Sequence, residues 1–272
     1  MFKKEKRKNW RSVQSPFIFD LVRHLEAGSR YVDERVVTDE VAFDRVFRDI
    51  EKLRADLKRS KESIAVEDYG AGSRVFKGNA RKVSMIAKHV LQGKSVARSL
   101  WKVLRYWGIN TATEGGRKLN VLEMGTSLGI TTAYLSASGC HVETWEGCQN
   151  TTDLARRNWK ELGLEENIVS KVGKFEGLLK SSSGGWDMVF LDGHHDGEAT
   201  LIYVEQMKSK LGKGGCVLVD DVTWSKGMKM AWRTLLDDPY WNVTVRWRGK
   251  GWLFHIDGAV EQHIALSCVF KF

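Results

Sequence analysis

Residues 120–136 have the sequence NVLEMGTSLGITTAYLS, in which an apolar run leads into a glycine-spaced turn and then into small and apolar residues. This order predicts a strand, a tight turn and a helix. It places Glu123, Gly125, Ser127 and Gly129 at the carboxyl end of the strand, where open α/β sheets bind their ligands. Glycines allow tight backbone geometry there, and the exposed amides of a helix N-terminus favour an anionic group. We therefore expect this turn to hold a ligand that carries an anion.

An alternation of short apolar runs with longer amphipathic segments begins at residue 119 and predicts the fold class. The apolar runs, which predict strands, are residues 120–124, 141–146, 167–172, 187–191 and 216–220. A helix is expected after each run, which is typical of a parallel sheet with helices on both faces. The sequence WNVTVRWRGKGWLFHI, residues 241–256, predicts two strands joined as a hairpin at residues 248–251. The expected fold is α/β and Rossmann-like, with a seven-stranded, mostly parallel sheet and an antiparallel C-terminal hairpin.

Residues 1–110 predict a helical N-terminal region, which precedes a sheet domain over residues 111–272. The segment SPFIFDLVRHLEAG, residues 15–28, combines a serine N-cap, a proline at the first helical position and a terminal glycine. Apolar residues at helical spacing then predict an amphipathic helix that packs on another element: Val41, Val46, Ile50, Leu53 and Leu57. Two further helices are expected over residues 83–93 and 94–108.

A glycine-rich loop lies within residues 65–95, which we interpret as a candidate lid over the ligand site. Tyr69, Gly70 and Ser73 would belong to this lid, since helices that precede the first strand can cover that edge of the sheet. The alternative is that Gly70 and Gly72 only end a helix. Both interpretations stay open at the level of sequence.

The composition restricts the cellular compartment and the classes of binding partner that we expect. The 272 residues carry a formal net charge of +9 with a pI near 9.3, and much of the charge lies in a basic arm, residues 1–11. Six lysines and arginines oppose only Glu5 there, so we expect a solvated arm, with contact to phosphates or an acidic surface as the alternative. Without a long apolar window or an apolar leader, we expect a cytoplasmic protein with no membrane span. Four cysteines without a CxxC pair argue against zinc and disulfides.

Two nucleotide cofactors compete for the turn at residues 125–129. A dinucleotide fingerprint, GxGxxG, requires glycine where this chain has Ser127 and Ile130, so it fails at two of its three positions. The pattern ExGxSxG instead suits the methionine end of S-adenosylmethionine, whose carboxylate the helix amides would bind while Glu123 faces its cations. Glu146 follows Gly125 by 21 positions, close to the offset of about 20 at which an acid binds a ribose hydroxyl. This spacing supports a nucleoside ligand.

Four motifs in order resemble those of the class I S-adenosylmethionine-dependent methyltransferases: VLEMGTSLGITTAYLS, VETWEGC, FLDGHH and VDDVTWSKGMKMAW. The resemblance covers residues 119–256 and extends to bacterial members related to small-molecule, catechol-type O-methyltransferases. It implies S-adenosylmethionine as the cofactor, bound by residues at the ends of successive strands: Glu123, Gly125, Thr126, Ser127, Gly129, Glu146, Gly147, Phe175 and Asp192. Phe175 would stack on adenine or belong to the core. Lys174, Thr223 and His194 depart from residues that are common in relatives.

Three carboxylates follow the last two parallel strands, namely Asp192, Asp220 and Asp221. Like charges that meet at one sheet edge need protons, cationic partners or a metal. The resemblance implies that they bind Mg²⁺ or another divalent cation; alternatively, they cap a helix and shape a turn. His195, or else His194, is a candidate general base beside Asp192, because imidazole titrates near neutral pH.

The predicted function is methylation of a small-molecule hydroxyl by in-line transfer from S-adenosylmethionine, assisted by a divalent metal if one binds. N-methylation or nucleic-acid methylation is the alternative that the basic charge supports, but the sequence lacks an Asn/Asp-Pro-Pro-aromatic motif and a basic, aromatic stripe. A cofactor-binding protein without turnover is a further alternative. We expect a small-molecule substrate as the partner, and a homo-oligomer stays open.

Overall fold

The structure, a computed structural model, describes residues 4–8, 16–26, 40–67, 79–113 and 117–266. From residue 120 onward its strands and helices alternate as predicted. The strands are β1 (Lys6–Lys8), β2 (Ser63–Ala65), β3 (Ala80–Lys82), β4 (Asn120–Met124), β5 (His141–Glu146), β6 (Ile168–Val172), β7 (Trp186–Leu191), β8 (Leu211–Val219), β9 (Val243–Trp247), β10 (Lys250–Phe254) and β11 (Gln262–Leu266). The α-helices are α1 (Pro16–Glu26), α2 (Glu40–Arg59), α3 (Val83–His89), α4 (Lys94–Thr113), α5 (Ile130–Ala137), α6 (Gln149–Leu162), α7 (Phe175–Ser181), α8 (Gly197–Met207) and α9 (Lys226–Asp237).

The chain divides into two compact units, one over His24–Lys180 and the other over Met1–Arg23 with Ser181–Phe272. The helical region expected over residues 1–110 is therefore shared between the units. The domain boundary predicted at residue 110 stays a prediction.

The unit His24–Lys180 contains the first three parallel strands. β4 pairs in parallel with β5, and β5 pairs in parallel with β6. Helix α2 buries Ile50, Leu53 and Leu57 in a core that includes Trp101 and Trp159. Three residues of the amphipathic spacing read from the sequence therefore face this core, and burial of each side chain stabilises the fold by about 1.5–3 kcal/mol.

The second unit contains the remaining sheet pairings. β7 pairs in parallel with β8, whereas β10 is antiparallel to both β8 and β9. The turn between β9 and β10 consists of Arg248 and Gly249, both with positive φ, 47° and 80°. Two such residues make the tight hairpin turn whose twist matches the flanking strands. The α/β class, the parallel strands and the antiparallel C-terminal hairpin are thus confirmed.

Four of the described strands were not predicted, namely β2 and β3 of the unit His24–Lys180 and β1 and β11 of the second unit. β11 pairs in parallel with β9, and β1 pairs in parallel with β11. The sequence KRK of β1 lacks apolar alternation, so backbone pairing alone identifies it as a strand. Glu5 fixes this segment, because its carboxylate accepts hydrogen bonds from Arg246 and from the Trp232 indole. Residues 4–8 of the expected solvated arm are therefore partly in a sheet, and the rest of the arm lies outside the described residues.

The candidate lid is described only in part. Its described portions form β2, β3, α3 and the start of α4, and β2 pairs with β3 in antiparallel register. Tyr69, Gly70 and Ser73 lie outside the described residues. Over the described ranges, no helix has the length and apolar character needed to cross a bilayer.

Candidate functional site

The turn between β4 and α5 requires its glycines. Gly125, Ser127 and Gly129 all have positive φ, at 117°, 49° and 75°. A Cβ on Gly129 would lie 2.4 Å from Trp159 Nε1, which is too close for any side chain. The Trp159 indole donates a hydrogen bond to the Gly129 carbonyl at 2.8 Å. Helix α6 therefore fixes the turn through a contact that only glycine permits.

The N-terminus of α5 has the features of an anion site. The N-cap residue, Gly129, has no side chain that could accept a hydrogen bond from the first amides of the helix. The first N–H groups of a helix have no intrahelical acceptor, and the helix dipole favours negative charge near them. The turn predicted to hold an anionic group thus has a suitable geometry.

Glu146 lies at the end of β5, and its carboxylate is oriented by two backbone amides. Ser127 N donates to Oε2 at 3.0 Å, and Cys148 N donates to Oε1 at 3.2 Å. The structure therefore brings Glu146 to the glycine turn, and the ribose contact expected from its spacing stays a prediction. Gly147 comes next and is half-buried.

Glu123 lies at the end of β4 and is fully buried. Its Oε2 accepts hydrogen bonds from the hydroxyls of Thr132, at 2.5 Å, and Thr144, at 2.7 Å. Oε1 is buried with no hydrogen-bond partner in the described structure. Burial raises the pKa of Glu123 from 4.5 to about 7, against the opposing effect of the two hydroxyls.

Thr126 belongs to the same buried network. Its hydroxyl lies 2.7 Å from the Thr144 hydroxyl. Because the single Thr144 proton is directed to Glu123, Thr126 donates and Thr144 accepts. The side chain of Thr126 therefore supports the turn, and its backbone is also engaged: Thr126 N donates to the Trp145 carbonyl at 3.3 Å, and its carbonyl accepts from Gly129 N at 2.9 Å.

Phe175 is the first residue of α7 and is half-buried. It follows Gly173, whose amide donates to the Glu146 carbonyl at 3.0 Å. The segment before Phe175 is thus attached to the end of β5, which carries the candidate ribose-binding acid. Stacking on a ligand and packing in the core are both compatible with this intermediate burial.

The second unit brings together three carboxylates, Asp192, Asp220 and Asp221, which we call the acid cluster. Asp220 is buried, and a hydrogen bond with Asp192 is one of the causes that lower its pKa. Asp221 has a positive φ of 52° and its side chain is 45% exposed.

Lys250 was missed by the sequence reasoning, and it is the cation of this cluster. Its Nζ lies 2.6 Å from Asp220 Oδ1, and both side chains are at most 5% exposed. Burial alone would raise the pKa of Asp220, but the charge and hydrogen bond of Lys250 contribute to holding it below its usual value. Burial and the nearby charge of Asp220 raise the pKa of Asp221.

The two histidines have different surroundings, which the sequence left open. His194 Nδ1 lies 2.8 Å from the Tyr203 hydroxyl, so its ring is held by α8. His195 lies between two acids: Nε2 is 3.9 Å from Asp192 Oδ1, and Nδ1 is 4.0 Å from Asp221 Oδ2. His195 is the better-placed candidate base, because its ring lies between two acids of the cluster, whereas the ring of His194 is held by Tyr203.

The predicted metal site is not found in the described ranges, which contain no group of three or more His, Cys, Asp or Glu residues arranged to hold a metal ion. An ion pair occupies this position instead. Asp220 Oδ1 already accepts hydrogen bonds from Lys250 Nζ and from the Asp221 amide, at 2.6 and 2.7 Å. The residues present therefore do not fit a resident divalent cation.

Comparison with known proteins gives a family match for part of the chain. Residues 122–222 match the family model described as "Methyltransferase domain". This match confirms the resemblance carried by the sequence motifs and the predicted enzyme class. No curated protein is similar enough in sequence to match the chain.

Solved structures share the fold at low sequence identity. The S-adenosylhomocysteine-bound methyltransferase PaMTH1 of Podospora anserina has a TM-score of 0.54 and 15% identity, over 84% of this chain and 98% of that one. An O-methyltransferase of Bacillus cereus in complex with S-adenosylhomocysteine has a TM-score of 0.52 and 15% identity, over 82% and 96%. TomG, an O-methyltransferase of Streptomyces achromogenes in complex with S-adenosylmethionine, has 0.51 and 16%, over 62% and 82%. These likenesses support the Rossmann-like fold alone.

Proposed function

We propose that this chain is an S-adenosylmethionine-dependent methyltransferase that methylates a hydroxyl group of a small molecule. The observation that carries the proposal is the turn after β4, where an uncapped helix N-terminus adjoins a carboxylate held by the Ser127 amide. An anion site beside an oriented carboxylate matches the two polar ends of a nucleoside amino acid. The family match over residues 122–222 and the methyltransferases of the same fold that hold S-adenosylmethionine or S-adenosylhomocysteine agree with it.

The residues around this turn would divide the cofactor between them. The first amides of α5 would bind the carboxylate of the methionine part. Glu146 would accept hydrogen bonds from the ribose hydroxyls, since each carboxylate oxygen has two acceptor sites. Glu123 would provide negative potential for the cationic groups once it has lost its proton, and Phe175 would contact the adenine.

When bound, S-adenosylmethionine supplies a methyl group that the sulfonium charge has already activated. The protein then has to align the acceptor oxygen and remove its proton. We assign proton removal to His195, with Asp192 stabilising the imidazolium that results. No step in this mechanism uses a metal, because Lys250 already pairs with the buried acid.

Calorimetric titration with S-adenosylmethionine and with NAD tests the cofactor. We expect binding of S-adenosylmethionine alone, weakened about 10- to 100-fold in the variant Glu146→Gln, since a charge-assisted hydrogen bond contributes about 1.5–3 kcal/mol. Glu143→Gln is the matched control, because it lies on the same strand but pairs with Lys171 and the Trp145 indole. Equal affinity of Glu146→Gln and the unchanged chain, or binding of NAD instead, contradicts the proposal.

The acceptor is found by a screen. The chain and S-adenosylmethionine are incubated with hydroxyl-bearing and amino-bearing small molecules, and release of S-adenosylhomocysteine is measured. We expect release with hydroxyl acceptors. Release only with amines or with RNA or DNA would replace O-methylation by one of the alternatives, and no release with any acceptor would favour a binding protein without turnover.

A further inference from the structure

Lys250 is a buried lysine whose position is fixed by the strands around it. β10 runs antiparallel to β8 with Gly251 opposite Val219, so the same register places Lys250 opposite Asp220. The turn that precedes Lys250 is also fixed, because Val222 N donates a hydrogen bond to the Gly249 carbonyl at 2.9 Å. The ammonium therefore approaches the acid from a rigid backbone.

Lys250 and Asp220 are buried together, so their charges interact with protein groups and not with solvent. Lysine is almost never fully buried unless it is paired, and here Lys250 is 4% exposed. Removing both charges from water costs free energy, which only close, well-directed contacts offset. The 2.6 Å separation of Nζ and Oδ1 is such a contact.

The ion pair also occupies the atoms that a metal would need. Asp220 Oδ1 accepts hydrogen bonds from Lys250 and from the Asp221 amide, which uses both lone pairs of that oxygen. A divalent cation, bound by oxygens at about 2.0–2.6 Å, would have to displace the ammonium.

We propose that Lys250 replaces a divalent cation in the acid cluster: its ammonium neutralises Asp220, holds the cluster together and excludes a metal ion. Lys250 is then a positioning residue, which acts on the candidate base through the carboxylates that flank His195. For methyl transfer, this inference rests on the proposed function and implies a reaction that needs no added metal. Its physical content, a cation built into the chain, does not depend on the reaction.

Binding of Mn²⁺, measured by electron paramagnetic resonance and by calorimetry, tests the inference. The variant Lys250→Met removes the charge and keeps the length of the side chain, so its three acids should bind Mn²⁺ about tenfold more tightly than the unchanged chain, or better. Lys250→Arg keeps a cation and should not gain this binding. Lys208→Met is the matched control, because Lys208 pairs with Glu205 and Asp238 in the same unit, outside the acid cluster.

A second set of measurements tests the inference even if Lys250→Met does not fold. The double variant Lys250→Met with Asp220→Asn removes both buried charges, so it should fold and bind no more Mn²⁺ than the unchanged chain. If Lys250→Met is unstable, Mn²⁺ should raise its Tm and leave the Tm of the unchanged chain where it was. The inference is overturned if the unchanged chain binds Mn²⁺ as tightly as Lys250→Met, or if Mn²⁺ neither binds to nor stabilises that variant.

Activity gives an independent comparison. EDTA should leave methyl transfer by the unchanged chain unaltered, and loss of transfer that Mg²⁺ restores would overturn the inference. A chain that fails to bind S-adenosylmethionine would instead overturn the proposed function, while the Mn²⁺ comparison between variants would keep its meaning.

Discussion

Replacing Glu123 by glutamine should remove the pH dependence that this residue gives to stability. Burial raises its pKa from 4.5 to about 7, and one pKa unit corresponds to about 1.4 kcal/mol. The residue is fully buried, so solvent does not screen the effect. The raised pKa therefore changes the free energy of unfolding by about 3 kcal/mol between low and high pH.

The sign follows from which state binds the proton. Between pH 4.5 and about 7 the folded chain keeps the Glu123 proton, whereas the unfolded chain has lost it. The folded state binds more protons, so the free energy of unfolding falls as the pH rises. The contribution of this group is fully present below pH 4.5 and is lost as the pH passes through about 7.

Glu123→Gln removes the titration and leaves an amide oxygen for the two threonine hydroxyls. Its NH₂ group has no acceptor at the position of Oε1, which costs about 1–3 kcal/mol at every pH. We therefore expect the variant to be less stable than the unchanged chain at pH 5 and equal or more stable at pH 8. The difference in free energy of unfolding between variant and unchanged chain should move by about 2.5 kcal/mol over this interval.

Urea unfolding at pH 5, 6, 7 and 8, followed by tryptophan fluorescence, measures this change, and hydrogen exchange in β4 and β5 measures it locally. Glu165→Gln is the control, because Glu165 is exposed. A difference between Glu123→Gln and the unchanged chain that is the same at pH 5 and pH 8 would show that Glu123 is charged throughout, and the burial argument would fail.

Two further substitutions test the turn and the base. Gly129→Ala should lower the free energy of unfolding by about 2–4 kcal/mol, because a left-handed backbone and the close approach to Trp159 both penalise a Cβ. Gly163→Ala isolates the backbone part, since Gly163 has φ of 63° with no atom near its Cβ position; equal losses in thermal unfolding would refute the contact with Trp159. His195→Asn should lower kcat for an acceptor found by the screen about 10²- to 10⁴-fold and leave affinity for S-adenosylmethionine unchanged. The same loss in His194→Asn without loss of stability would move the role of base to that residue.

The strands that could be predicted from the sequence are those in which an apolar run ends at turn residues. The bounds predicted for β4 and β5, residues 120–124 and 141–146, agree with the structure. β8 begins at Leu211 and not at residue 216, because its first half, LGKGG, has the composition of a loop and is recruited by pairing of Leu211 with Trp186. Local sequence cannot reveal a strand that backbone pairing alone creates.

The same distinction applies to the candidate site, where some contacts could be predicted from the sequence and others could not. The proximity of Glu146 to the glycine turn was predictable, because neighbouring parallel strands end at one edge and the spacing was known. Lys250 was not predicted, although the hairpin itself was, since its contact with Asp220 depends on the register of β10 against β8. Nor could the sequence reveal that Glu123 is buried below the turn with two threonine hydroxyls.

The two buried acids, Glu123 and Asp220, show what sets the charge at these strand ends. Both are desolvated to a similar extent, yet burial raises the pKa of Glu123 whereas the ammonium of Lys250 helps to lower that of Asp220. The difference is the partner, since hydroxyl donors stabilise a buried carboxylate less than an ammonium does. Within the described part of the chain no lysine contributes to the pKa of Glu123, so a cationic ligand bound near it would act as Lys250 acts on Asp220. We therefore expect this end of β4 to favour a sulfonium or ammonium group, because its binding would allow a buried acid to lose its proton near neutral pH.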